Sequence, residues 1–319
     1  MKSSLVTNFP NGFTNGVTIA GVPIQQAHPG EVFFVNGSSV KKTGVSSGSD
    51  STGAGTYNKP FATIDYAIGR CTASRGDIIM VMPGHTETVA AASGIDLDVA
   101  GVAIFGMGTG SLRPTINFTA TASTLTQAAA NTSIKNILCT GGIDAVVSPI
   151  IMSAADCVIE DCETRDVTGQ MTDGIVTTAA ATRFRILNHT HNGATAAGTN
   201  AGIAIVGGSG GEITIKRMDG NFAVGGVDIR TTATTDLFVH DVKYFRNRNA
   251  SDIFLVDTIT ASTGQVGPDV FIRLATDAAN ITEAVTGATL VVQDPVYVVN
   301  AANEKGLLIN WTASTDAIV

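Results

Sequence analysis

Charge is what this chain has least of. Asp, Glu, Lys and Arg make up 14% of its 319 residues, against roughly 25% in an average globular chain. The net charge is −8, with no run of five like charges. A nucleic-acid binder would show a basic stripe, so that class is excluded. Aromatics are scarce as well, at 6%, with Trp311 the sole tryptophan. The four cysteines, Cys71, Cys139, Cys157 and Cys162, form no CxxC pair. That excludes a zinc site and a disulfide framework, and leaves small buried hydrophobes made in a reducing cytoplasm. No run of 18 apolar residues is present, so no transmembrane helix and no membrane partner are expected. The opening "MKSSLVTNFPNGFTNG" lacks the apolar core of a signal peptide. The Asn-x-Ser/Thr triplets that begin at Asn36, Asn117, Asn131, Asn188, Asn249, Asn280 and Asn310 therefore read as composition rather than as glycosylation sites.

What is abundant is Gly, at 35 residues, with many Thr, Ala, Val, Ser and Asn. Such a mixture suits stacked strands and tight turns better than helices. One short pattern recurs: "IKNI" at 134, "IEDC" at 159, "ILNH" at 186, "IKRM" at 215 and "VHDV" at 239, at intervals of 25, 27, 29 and 24 residues. Each copy lies in an alternating apolar–polar run, which is a strand signal. A second strand precedes most copies, at "DAVVSPI", "DGIVTT", "AGIAIVG" and "GVDIRTT", and "SDIFLVD" follows the last. Earlier rungs are read at "DIIMVMPG", "GVAIFGMG" and "RPTINFTA", and later ones at "DVFIRLA" and "ATLVVQDP".

A period of about 25 residues built of strands and turns predicts a solenoid. The Leu lattice of leucine-rich repeats is absent, and a four-stranded propeller blade needs roughly 40 residues. An all-β parallel β-helix fits, in which each coil buries its inward side chains and successive coils pair as parallel strands. Such a rod exposes strand edges at its ends, and these must be covered. Pro60 suits a first helical turn, and Phe61, Ile64, Ala67, Ile68 and Cys71 fall on one face, so residues 60–71 are expected to form an N-terminal capping helix. The expected organisation is an arm and Gly/Ser-rich linker over 1–57, with short strands at "GVTIAGVPI" and "EVFFV". The β-helix follows over 58–265, and a terminal segment over 266–319 acts as end cap or interaction region.

The residues "PFATIDYAI", then "GDIIMVMPG" and Glu87, resemble the opening of pectate-lyase-like right-handed parallel β-helix domains. His85 and Thr86 alone separate Gly84 from Glu87, one residue fewer than that family's usual spacing. The likeness covers residues 55–118 and continues as a general coil pattern to about 260. It specifies fold rather than activity. The arm-plus-rod layout also resembles β-helix structural proteins of tailed bacteriophages. That likeness implies a virion component, often a homotrimer, such as a capsid decoration protein, head fibre or tail spike.

Candidate sites are few. The most charged stretch, "DCVIEDCETRD", holds Asp156, Glu160, Asp161, Glu163, Arg165 and Asp166. A polysaccharide lyase on this fold would need carboxylates for Ca²⁺ and a basic residue, and a glycosidase two carboxylates across a groove. On a strand, residues two apart share a face, so Asp161, Glu163 and Arg165 would project together with Glu160 opposite. The competing reading is a solvated coil face. His189 and His191 lie two apart with no third metal ligand in view, in a Thr/Asn context that suits a turn. His240 reads as a rung residue and His85 as an exposed turn residue after Pro83-Gly84. The glycines of "GMGTGS" and "GGSGGE" lack the spacing and Lys of a phosphate loop and read as tight coil turns. No cofactor or metal is expected. The reading is a non-enzymatic, self-associating β-helix of a phage particle, contacting the capsid shell. The alternatives are a glycan-cleaving spike using Asp161, Glu163 and Arg165, or a spike that binds a host surface glycan through stacking aromatics such as Tyr244 and Phe245.

Overall fold

The computed structural model describes residues 17–19, 22–24, 30–37, 46–166, 171–194, 198–249, 253–259, 261–275, 285–286, 290–293, 295–300 and 305–308. The fold expected from the sequence is the one observed. Strand takes up 50% of the chain and helix 3%, arranged as a parallel β-solenoid of about 7 turns.

Each coil contributes to three faces. The first face stacks Ile78–Val81, Ala103–Gly106, Ser133–Lys135 and Val158–Glu160 in parallel register. It continues through the front halves of the long strands Arg185–Asn192, Glu212–Gly220 and Leu237–Asn247 to Gly264–Val266 and Leu290–Val292. The second face stacks Thr86–Val89, Thr115–Phe118, Leu138–Gly141 and Glu163–Asp166, then the rear halves of the same long strands, then Val270–Arg273 and Val296–Val299. The third runs from Ile95–Leu97 through Leu125–Gln127, Ile150–Met152, Asp173–Thr177, Thr199–Ile205 and Phe222–Ile229 to Leu255–Asp257 and Val285–Thr286.

Period-two alternation turns one residue in two inward, and parallel register then stacks like on like. On the first face Ile79, Ile104, Ile134, Ile159, Ile186, Ile213, Val239, Val266 and Val292 form one buried column. The recurring sequence pattern is this column plus its corner. Its third residue turns the chain from first to second face in the left-handed region: Asn136, Asp161, Asn188 and Asp241 have φ of 56°, 52°, 53° and 50°. Asn and Asp tolerate that conformation better than other non-glycine residues. "IKRM" is out of step, because Ile215 pairs with His189 and Val242 on the way to the second face. The true counterpart is Ile213, and the intervals become 25, 27, 27 and 26.

The helix expected over 60–71 forms only at Ile64–Ile68, because Thr63 caps its start and Gly69 its end; it buries Ile64, Ala67 and Ile68, while Pro60, Phe61 and Cys71 flank it. Thr63 caps it by accepting the Tyr66 N–H, and Asp50 accepts the Ala62 and Thr63 amides. Asp65 in turn accepts the N–H of Asp96 on the first strand of the third face, so the helix covers an open edge. Val32–Val35, expected in the arm, pairs in parallel with Ile78–Val81 and opens the first face. Residues 46–61 fold onto it through Phe61 N–H to Phe34 O, Asn36 N–H to Phe61 O and Ser49 N–H to Pro60 O. A side chain at Gly48 would lie 2.4 Å from the Asn36 carbonyl, so this glycine serves close packing rather than flexibility. The arm strands Val17–Ile19 and Val22–Ile24 form a separate antiparallel pair, while residues 1–16 and 38–45 of the expected arm and linker lie outside the described residues. At the other end the coil pattern runs past 266 as far as Val299, and Lys305–Leu308 then folds back antiparallel on Val296–Val299. Trp311 lies outside the described residues. No helix among the described residues is long and apolar enough to cross a membrane.

Candidate functional site

The predicted acidic cluster divides at the corner. Ile159 points inward, leaving Val158 and Glu160 outward. The left-handed backbone at Asp161 then resets the alternation. Glu160 and Asp161 consequently sit together, at 2.6 and 3.6 Å from Lys135 Nζ of the preceding coil. Glu163 and Arg165 share the outer second face, with Thr164 between them turned inward. The expectation that Asp161, Glu163 and Arg165 project as one group, with Glu160 opposite, is corrected by that corner.

Glu163 is nearly buried and saturated with donors. It accepts from Arg113 Nη1 at 2.9 Å, Arg165 Nε at 2.8 Å and Asn192 Nδ2 at 2.6 Å. Arg113 also donates to the carbonyls of Ile137 and Asp161. Asp166 accepts the Met171 and Ala194 amides, holding the next corner on two coils. The same habit extends along the rod: Arg183 pairs with Asp156, Arg185 with Glu212 and Arg248 with Asp219. These groups join neighbouring coils across a strand spacing of about 4.8 Å.

A second cluster was not legible in the sequence. On the third face Arg230 reaches over the small Ala204 to bond both Asp228 and, two coils back, Asp173. Both carboxylates are buried, and loss of solvation pushes both above the usual carboxylate range, while Arg230 draws them back. The two aspartates are 55 residues apart, so register alone unites them. The signal was present but faint: each Asp belongs to a third-face strand that the alternation located.

The histidines differ most from expectation. His85 is fully buried rather than an exposed turn residue. Gly84, with φ of 77°, turns the chain so sharply that the imidazole swings under the cap. Its Nδ1 accepts the Gly37 N–H at 2.9 Å, leaving Nε2 to donate to Glu87 at 3.1 Å. His189 and His191 lie within the strand Arg185–Asn192, not in a turn, and both are buried. Both rings converge on Thr164 Oγ1. His240 is the expected rung residue, bonded to Asp241 and Glu212. Among the described residues no three His, Cys, Asp or Glu side chains are grouped to hold a metal ion.

A groove of about 330 Å³ follows the corner between first and second faces, walled by Phe105, Arg113, Lys135, Asp161, Asn188 and Lys216. Of the glycines in "GMGTGS" and "GGSGGE", Gly108 at 94°, Gly110 at 58°, Gly208 at 115° and Gly210 at 63° take the expected positive φ, while Gly106, Gly207 and Gly211 do not. In the groove Arg113 and Lys135 are already bonded to acids. What the fold defines is a class, the parallel β-solenoids; no family model, curated protein or solved structure matches the chain.

Proposed function

We propose that the chain is a non-enzymatic structural protein of a bacteriophage particle: a rigid β-solenoid that decorates or projects from the capsid shell and associates with copies of itself as a trimer. The observation that carries this reading is the use of the charged side chains. Glu160, Asp161 and Asp156 each bind a cation of a neighbouring coil, and Glu163 binds Arg113 two coils back, an arrangement that stiffens a rod. The pectate-lyase-like opening and the arm-plus-rod layout support the same reading by resemblance, and short strands such as Val17–Ile19 suit attachment to a partner's sheet edge. Proteomic analysis of purified particles is expected to find the chain in the virion, and sedimentation of the purified protein to give three times the chain mass. A monomer absent from particles overturns the reading.

One observation favours a glycan-cleaving spike instead. Asp173 and Asp228 are a buried acid pair with raised proton affinity around one arginine, a pattern frequent at hydrolytic sites. Incubation with capsular polysaccharide would then release oligosaccharides, and Asp228→Asn would abolish the release. The glycan-binding reading finds less support. Tyr244 stacks on Phe271 at 6.2 Å, and Arg217 lies 5.4 Å over the Tyr244 ring, so these ring faces are occupied within the row. Phe245 is buried in the core.

A further inference from the structure

The inward column of the second face reads Ile116, Cys139, Thr164, His191, Met218, Phe245, Ile272 and Val298. From Ile116 to Val298 it is apolar except at Thr164 and His191, and Glu87 stands at its head. His189 enters beside them from the corner, so three polar side chains make one buried layer across the middle of the rod, as Gln127 and Thr132 do nearer its start. The layer is fitted to its site. A side chain at Gly174 would lie 3.2 Å from both His191 Nδ1 and Thr164 Oγ1, and one at Gly193 would lie 3.0 Å from His191 Nε2. The Phe222 ring closes the remaining side, 5.3 Å from His191.

The hydrogen bonding to Thr164 is met in full by two neutral imidazoles. Thr164 Oγ1 lies 3.1 Å from His189 Nε2 and 2.8 Å from His191 Nδ1. A hydroxyl has one proton, so it donates to one ring and accepts from the other. The far nitrogens, His189 Nδ1 and His191 Nε2, are buried without a hydrogen-bond partner. An added proton would therefore place a cation and a further N–H where no acceptor waits, which is costly in a dry interior. The charged groups around the layer do not offset this. Asp166, Asp219 and Glu163 attract a proton to His191 from the outer face, yet all three already bind other donors. Arg113 opposes a charge on His189, while the Cys162 backbone favours one to a smaller degree than burial disfavours it. Burial dominates: it lowers the proton affinity of both rings, that of His189 to about 3.

We propose that the His189–Thr164–His191 layer is an acid-operated release in the middle of the rod, at which the coils of strands Glu163–Asp166 and Arg185–Asn192 part while the end coils stay folded. The sign follows from linkage. The unfolded imidazoles bind protons below about 6.5 and the buried ones do not, so stability is fully present above that pH and falls as the medium is acidified. The inference concerns the core and does not depend on the reading of the particle.

Hydrogen exchange on the full chain at pH 7, 5.5 and 4, corrected for intrinsic exchange rates, tests it. Protection of Glu163–Asp166 and Arg185–Asn192 should fall at least tenfold more than that of Ala103–Gly106 and Val270–Arg273. The His189→Gln/His191→Asn double variant should lose that regional difference. Uniform loss of protection along the wild-type rod overturns the proposal even if the variant does not fold. So does a wild-type imidazole spectrum in which both rings titrate near pH 6.5 without loss of structure.

Discussion

The residues of the opening motif show what the sequence displayed and what it withheld. The Gly-Asp pair was legible as the start of a strand. Its purpose was not, because Asp77 joins the turn before it to a distant strand: it accepts the amides of Glu31 and Thr72 and pairs with Arg75 at 2.7 Å. Arg75 and those amides hold its carboxyl down at about 2. A depressed carboxylate stabilises the fold above its unfolded value near 3.8 and loses that contribution as pH falls toward 2. Asp77→Asn should therefore lower stability by about 2 kcal/mol at pH 7 and narrow the gap from wild type between pH 4 and 2, as read by urea denaturation across pH. Glu87 was likewise visible only as a landmark. It points inward at the head of the second-face column, where it accepts the Ile64 N–H that starts the helix and the His85 ring proton. Glu87→Ala strands both donors under the cap and should cost about 2–4 kcal/mol, whereas Glu87→Gln, which keeps one acceptor oxygen, should cost less than half as much. Equal losses in the two variants would contradict this role.

At the scale of the elements, alternation located the strands well and corners poorly. Strands were readable because apolar residues recur two apart, as Val270, Ile272 and Leu274 do in "DVFIRLA" and Phe184 and Ile186 in "FRILNHT". The register of "IKRM" was not, because the Glu212–Gly220 strand carries its shift at Thr214/Ile215 in place of an Asn or Asp corner. The repeat beyond 265 was missed for a related reason. There the corner is Gly-Pro-Asp, with Asp269 at φ 60°, and the four-residue signature disappears although the column persists through Val266 and Val292. The glycines opposite the second face were also opaque in sequence. Side chains at Gly202 and Gly226 would strike Met218 at 2.6 Å and Phe245 at 2.3 Å, so these positions yield volume to the large residues across the core. Column packing predicts that Ile186→Ala costs about 2–5 kcal/mol in chemical denaturation. Val291→Thr, at a position 54% exposed at the outer end of the same face, should change stability by less than about 0.5 kcal/mol. Comparable losses would mean that the inward and outward rows have been exchanged.

For the molecule as a whole, each coil contacts mainly its neighbours, so stability is a sum of coil and interface contributions with caps at the ends. The helix and Val32–Val35 close one end, and Lys305–Leu308 folds over the other. The solenoid was legible in the sequence because a one-dimensional fold repeats its signal every coil. Of the Asp173–Asp228–Arg230 cluster only the strands showed, and of the histidine layer only the His189/His191 spacing, since register between coils brings the remaining partners together. From Val32–Val35 to Leu290–Val292 the first-face ladder advances through the successive pairings described above, a rise of about 43 Å at roughly 4.8 Å per strand. The proposed role as a component of a phage particle is tested most directly by cryo-electron microscopy of particles purified from cells that produce this chain. The account predicts density for rods of about that length, grouped in threes on the particle's outer surface, into which the three-faced solenoid fits. Particles that contain the chain nowhere, or that hold it as isolated single rods, would contradict it.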